Sequence, residues 1–190
     1  MLTIDTRNTE YFIQAHISDS VFVGYAEGNF EYWFKQVVSD PTTQFRLVTE
    51  LNKRNEICRK LREMNYEGFT VVDDSSLFTQ RTTNIKPTDL KKKLKQCRIL
   101  DVRERAETQK IKLVRSQNMP LSEILNGKNP KPDLEYYVHC AGGYRSLIAI
   151  SWINHSKPYN LINIQGGLEA LRATLQEDLF VISHQEFDKK

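Results

Sequence analysis

Ile99-Leu100-Asp101-Val102-Arg103 repeats Thr3-Ile4-Asp5-Thr6-Arg7, an echo that points to an architecture built twice. The spacing of 96 residues also brings Ser20 onto Ser116, so the chain writes the same short strand and strand end twice. Further on, Phe45-Arg46-Leu47-Val48-Thr49-Glu50 falls opposite Glu135-Tyr136-Tyr137-Val138-His139-Cys140 at a slightly shorter spacing. That alignment expects Glu50 in the place of Cys140.

Short apolar runs alternate with helical patterns around each copy. In the first half, Val21 to Val23, Phe45 to Val48 and Phe69 to Val72 read as strands. Phe30, Trp33, Phe34 and Val37 fall at helical spacing, and Ile57, Leu61 and Met64 share one helix face. The second half repeats the plan with Ile99-Leu100, Gln117 to Met119, Tyr136 to Val138, a helix over Arg145 to Asn154, Leu161 to Ile164, and a last helix bearing Leu168, Leu171 and Leu175. Such alternation implies βαβ units, hence an α/β protein of two modules, each a mainly parallel sheet flanked by helices.

The polar run Thr79 to Asn84 reads as the linker, with the boundary near residue 82, which expects domains at 1–82 and 83–190. Pro87 then opens a helix over Asp89 to Gln96 with Thr88 as its N-cap. Leu2 to Ile4 already reads as the strand that in the second half follows a helix and linker. Either that helix is absent or an upstream part is missing.

The chemistry is concentrated in Tyr136-Tyr137-Val138-His139-Cys140-Ala141-Gly142-Gly143-Tyr144-Arg145-Ser146-Leu147-Ile148. A β-prone run ends at a cysteine, a glycine-bearing loop follows, and an apolar helix starts near an arginine. Loop amides and a helix N-terminus then point at one spot, an anion cradle with a nucleophile at its rim. Gly142 and Gly143 permit the positive φ that such a loop needs, and Arg145 adds a fixed charge, so the surroundings favour thiolate over thiol. The plainer reading makes Cys140 a small buried hydrophobe at a strand end. The glycines, the arginine and the helix start together favour chemistry.

These residues resemble the rhodanese family, and the whole chain is similar to two rhodanese modules in tandem. The second module carries the resemblance in Leu100-Asp101-Val102-Arg103-Glu104, in the loop from Cys140 to Arg145, and in Asn163-Ile164-Gln165-Gly166-Gly167-Leu168. With Asn29-Phe30-Glu31-Tyr32-Trp33 upstream, the chain is also similar to tandem segments that follow a metallo-β-lactamase-fold domain in some bacterial proteins. A metallo-β-lactamase-like domain upstream in the full gene product is therefore an expected partner. No His-x-His-x-Asp-His run occurs in this chain, so this chain alone is expected to bind no catalytic metal.

The resemblance implies a sulfurtransferase. Cys140 would be the catalytic nucleophile, with Ala141, Gly142, Gly143, Tyr144 and Arg145 binding the substrate. A sulfane sulfur would pass from an anionic donor, thiosulfate or a persulfide, to a thiol or cyanide through a Cys140 persulfide, with no cofactor or metal needed. The first module, lacking the cysteine, would be catalytically silent. Two rivals remain. The cell-cycle dual-specificity phosphatases share the fold but resemble one another in a longer loop, whereas only the four residues Ala141 to Tyr144 separate Cys140 from Arg145 here. Rhodanese modules can also serve as regulatory or docking domains.

Composition bounds the remaining classes. The chain has 190 residues, 39% hydrophobic and 27% charged, which marks a soluble globular protein. Net charge is +3 with a pI near 8.7, and Lys91-Lys92-Lys93-Leu94-Lys95 reads as the wet side of a short helix, which argues against a nucleic-acid role. Cys58, Cys97 and Cys140 are odd in number, far apart and without metal-ligand spacing, so free thiols in a reducing compartment are expected. No signal-peptide pattern and no bilayer-length apolar run occurs, making cytoplasm the expected location and a membrane partner unexpected.

Other candidates are weaker. Asp101 and Arg103 project to the same side of a strand end, but Asp5 and Arg7 keep that spacing in the half without a nucleophile, which favours a structural pair. His139 precedes Cys140 on a strand, so its ring should face away from the thiol. His16, His155, His184, Trp33 and Trp152 read as structural or surface residues. Tyr144 either lines the pocket rim and selects a substrate or covers the helix start.

Overall fold

The computed structural model describes residues 1–183; His184 lies outside the described residues. The first half runs β1 (Leu2–Asp5), α1 (Thr9–Gln14), β2 (Ser20–Phe22), α2 (Phe30–Val37), β3 (Phe45–Val48), α3 (Arg54–Glu63) and β4 (Phe69–Val71). Its sheet has the order β2-β1-β3-β4, every pair parallel. The second half runs β5 (Asn84–Ile85), α4 (Pro87–Lys91), β6 (Ile99–Asp101), α5 (Arg105–Lys110), β7 (Ile111–Leu113), β8 (Gln117–Asn118), α6 (Leu121–Leu125), β9 (Tyr136–His139), α7 (Tyr144–Ser156), β10 (Leu161–Ile164), α8 (Gly167–Thr174) and β11 (Phe180–Ile182). Its main sheet, β5-β10-β9-β6-β8, is also parallel throughout, and β7 pairs antiparallel with β11. The architecture is α/β, two parallel sheets flanked by helices.

Four strands of the second sheet keep the order of the first, with β5 added at the edge. The correspondence reaches single bonds. Arg7 Nη2 donates to Asp5 Oδ2 at 2.6 Å and to Ala15 O at 2.7 Å, while Arg103 Nη2 donates to Asp101 Oδ2 at 2.6 Å and to Ile111 O at 2.8 Å. Ser20 and Ser116 each donate three residues back, to Ile17 O at 2.7 Å and Leu113 O at 2.8 Å.

The ladder register corrects one expectation. Asp5 stands opposite Val48, and Asp101 opposite His139. Val48 therefore matches His139, so Thr49, not Glu50, occupies the place of Cys140. A one-residue slip exchanges the two faces of a strand, which is why residue similarity alone misplaced it.

Side chains alternate across the second sheet: Leu100, Tyr136 and Val138 join one apolar cluster, and Ile99, Tyr137 and Ile162 the other. The larger cluster is continuous between the halves, taking Val21, Phe22 and Phe34 from the first and Leu147, Ile148 and Ile150 from the second. α7 is buried without interruption from Ser146 to Ser151 because both halves pack against it. Ser151 Oγ accepts the Phe22 N–H at 2.9 Å and so caps the edge strand β2, while His155 Nδ1 lies 2.6 Å from Asp19 O.

Two local expectations change. α7 starts at Tyr144 rather than Arg145, since Gly143 at φ +112° is its N-cap. The helix after the linker covers Pro87–Lys91, with a separate 3-10 turn at Leu94–Gln96, and its N-cap is Lys86, because Pro87 takes the first helical position and leaves Thr88 inside.

Candidate active site

β9 delivers Cys140 at its C-terminal end, and the chain turns through Ala141 to Gly143 into α7. Gly143 takes the left-handed φ that a side chain would resist, and this aims its N–H back at the Cys140 sulfur, 3.1 Å away. The other amides are oriented from behind. Leu168 N and Glu169 N, in the first turn of α8, donate to Cys140 O at 2.8 Å and to Ala141 O at 3.1 Å. A trans peptide points its N–H opposite to its C=O, so the Ala141 and Gly142 N–H groups turn away from α8 into the loop. Gly167, at φ +58°, makes this approach possible: a Cβ there would lie 2.4 Å from Ala141 O.

Below the loop, Ser146 Oγ lies 2.9 Å from Gly143 O and 2.7 Å from Asn163 Oδ1, and Asn163 Nδ2 donates to Asn84 Oδ1 at 2.7 Å. The linker end and β10 thereby brace the start of α7.

Two features depart from the expected open cradle. Cys140 is 1% exposed, so the thiol sits at the floor of the loop and not at a rim. Arg145 is held by Glu107 of α5 through Nη1 to Oε2 at 2.5 Å and Nη2 to Oε1 at 2.8 Å. The guanidinium holds the Glu107 carboxyl below its ordinary pKa, and Glu107 Oε2 also accepts Glu104 N at 3.0 Å in a capping box. Glu107 was missed in the sequence; the Glu104-x-x-Glu107 spacing signals a helix start but not its partner.

Tyr144 points into the first half. Its hydroxyl donates to Gly24 O at 3.0 Å and its ring meets Phe22 edge-on at 5.4 Å, so burial pushes its pKa up. It also lines a cavity of about 600 Å³ that reaches Gly142 and Gly143. Tyr144 thus both packs on the first half and borders this cavity. The first half contributes Glu10, Gln14 and Glu27 to that cavity, and the two glutamates are the only charged side chains among its described lining residues. Glu27 Oε1 is fixed by Thr9 N and Thr9 Oγ1, both at 3.1 Å.

His139 is fully buried, with Nδ1 3.1 Å from Cys140 O and Nε2 3.7 Å from Asp101 Oδ2. Cys58 is buried in α3. Cys97 precedes β6, at the opposite end of the parallel sheet from Cys140, and donates to Lys93 O at 3.2 Å.

In the first half, Thr49-Glu50-Leu51-Asn52-Lys53-Arg54 follows β3 as Cys140 to Arg145 follows β9, and Arg54 falls at the position of Arg145. A 3-10 turn at Leu51–Lys53 replaces the glycine loop, with Lys53 N bonded to Glu50 O at 3.0 Å.

Residues 86–174 match the family model described as a rhodanese-like domain. The matched stretch, slightly less than half of the chain, is similar to that family. It contains Asp101, Glu107, the cysteine loop, Asn163 and the Gly166-Gly167 turn. No curated protein matches the chain. Among solved structures, a rhodanese-related protein from Thermoplasma volcanium is 28% identical over 53% of this chain and 99% of its own, with a TM-score of 0.48. A thiosulfate sulfurtransferase from Pseudomonas aeruginosa is 17% identical, covering 91% of this chain and 36% of its own, with a TM-score of 0.41. A Rhodopseudomonas palustris protein of unknown function, described as a possible tyrosine phosphatase, is 22% identical over 48% of this chain and 80% of its own, with a TM-score of 0.41. No helix among the described residues is long and apolar enough to cross a membrane.

Proposed function

We propose that the chain is a sulfurtransferase that carries a sulfane sulfur on Cys140. The observation that carries this reading is the Cys140 sulfur receiving the Gly143 N–H at 3.1 Å, in a loop whose Cys140 and Ala141 carbonyls are tied to α8. Amides aimed at one point stabilise a thiolate and the negative charge of a departing group.

In the first half-reaction the Cys140 thiolate attacks the outer sulfur of thiosulfate or of a persulfide. The donor S–S bond breaks, its electron pair leaves on sulfite or on the donor thiolate, and a persulfide remains on Cys140. An acceptor thiolate or cyanide then attacks the terminal sulfur, and Cys140 leaves as the thiolate. Charge and sulfur balance without a cofactor. Arg145 would meet the anionic part of the donor once released from Glu107.

A specific observation also supports a docking or regulatory reading: the thiol is 1% exposed and Arg145 is neutralised by Glu107. Mass spectrometry after incubation with thiosulfate, and separately with a small-molecule persulfide, decides between them. Sulfur on Cys140, absent from Cys140→Ser, supports transfer; neither donor leaving sulfur there supports docking. Release of phosphate from an aryl phosphate without persulfide would overturn sulfur chemistry in favour of the phosphatase reading. We read residues 1–82 as a degenerate, silent copy that supports residues 83–190, Thr49 standing at the nucleophile position.

A further inference from the structure

Among the described residues, three buried side-chain nitrogen or oxygen atoms lack a hydrogen-bond partner, and one is Nε2 of His139. A carbonyl only accepts, so the 3.1 Å contact between His139 Nδ1 and Cys140 O requires the ring proton on Nδ1. A neutral ring then leaves Nε2 bare toward Asp101 Oδ2 at 3.7 Å. Burial favours that neutral form. An unpartnered buried nitrogen costs stability, so the position needs a reason for histidine.

The chain contains its own control. The Asp5–Arg7 pair repeats the Asp101–Arg103 pair bond for bond, yet the residue opposite Asp5 on the neighbouring strand is Val48. Val48 is 1% exposed and His139 is 0% exposed, so both occupy interior positions and valine suffices for packing in one of them. What His139 has and Val48 lacks is a donor to the next carbonyl, and the histidine occurs in the half whose next residue is a cysteine.

We propose that His139 is a positioning residue for the cysteine loop: its Nδ1–H and the Leu168 N–H hold the Cys140 carbonyl from behind, which turns the Ala141 N–H toward the sulfur and its substrate. The rigid peptide transmits this, because fixing the C=O direction fixes the opposed N–H. What the amide stabilises rests on the sulfur-transfer reading; the orientation itself does not.

The test uses the full chain with H139V, which installs the first half's residue, and H139N, whose amide nitrogen can take the place of Nδ1. Two readouts are followed: the rate of Cys140 alkylation by iodoacetamide at neutral pH, resolved by peptide mass spectrometry, and kcat and KM for persulfide formation. H139V should fold, lose roughly tenfold in alkylation rate and in kcat with little change in KM, and H139N should recover most of the loss. Alkylation needs no sulfur donor, so slowed alkylation in a chain that never forms a persulfide would sink the functional reading and leave the positioning role standing. Wild-type alkylation in H139V, or no recovery in H139N, overturns the positioning role. Failure of H139V to fold overturns it too, because valine would then not suffice at that position.

Discussion

Arg145 and Glu107, from the first turn of α7 and from α5, form a two-armed ion pair at 2.5 and 2.8 Å beside the cysteine loop. The charge that the proposed sulfur transfer would use to hold an anionic donor is thus already matched by a carboxylate. Glu107→Gln should leave Arg145 available and raise kcat/KM for thiosulfate, which steady-state kinetics will read. The sign with pH agrees: the Glu107 carboxyl pKa is depressed, chiefly by its bond to Arg145, so the pair's contribution is present above the unfolded value and lost as pH falls through the folded one.

The first half is tied to α7, the helix that follows the cysteine loop, through Phe22 N–H and Ser151 Oγ at 2.9 Å. Ser151→Ala leaves that buried N–H without a partner and should destabilise the chain by about 1 to 3 kcal/mol in urea unfolding. Residues 83–190 expressed alone should be less stable still, since α7 then exposes the face that packs on β2. Unchanged stability in that fragment would remove the supporting role of the first half.

Gly167→Ala should damage the loop directly. Its Cβ would meet Ala141 O at 2.4 Å and Cys140 O at 2.7 Å, both backbone atoms, at a φ of +58°. Backbone strain alone costs about 1 kcal/mol or more, and the clash pushes α8 off the carbonyls that it orients. Chemical denaturation and Cys140 alkylation should both register the change.

The cavity beside Gly142 and Gly143 bears Glu10 and Glu27 and no basic side chain among its described lining residues. A dianion approaching through it is repelled. Glu27→Gln should raise kcat/KM for thiosulfate by about two- to fivefold at low ionic strength, the gain shrinking with added salt. An effect independent of salt would contradict the electrostatic account.

Acid should destabilise the fold through two imidazoles, the fully buried His139 and the half-buried His16. Burial lowers the pKa of both His139 and His16 from the ordinary 6.5. The unfolded chain then binds more protons, so stability is complete above about pH 6.5 and declines as pH falls below it. Denaturation at about pH 7.5 and about pH 5.5 should show this decline, and it should be shallower in H139V.

Much of this was legible because it is local. Asp-x-Arg at a strand end forms its pair within three residues, and the same spelling produced the same bonds at Asp5 and at Asp101. Gly143 before an apolar run announced a helix start, and its positive φ follows from that turn. Thr49 was not legible, because the connections differ in length and only the ladder register chooses between neighbours. Arg145 looked available because Glu107 lies 38 residues away on another helix.

Local patterning was enough to set the alternation of strands and helices, the repeated strand end, and a cysteine followed by a glycine turn and an arginine. These depend on side-chain periodicity and backbone sterics, which act over a few residues. Long-range packing sets the thiol at the loop floor, pairs Arg145, lets α8 orient the loop from behind, and gives the halves a shared core. Each of these arises from segments far apart in the chain, brought together by burial of apolar surface that no short-range pattern specifies.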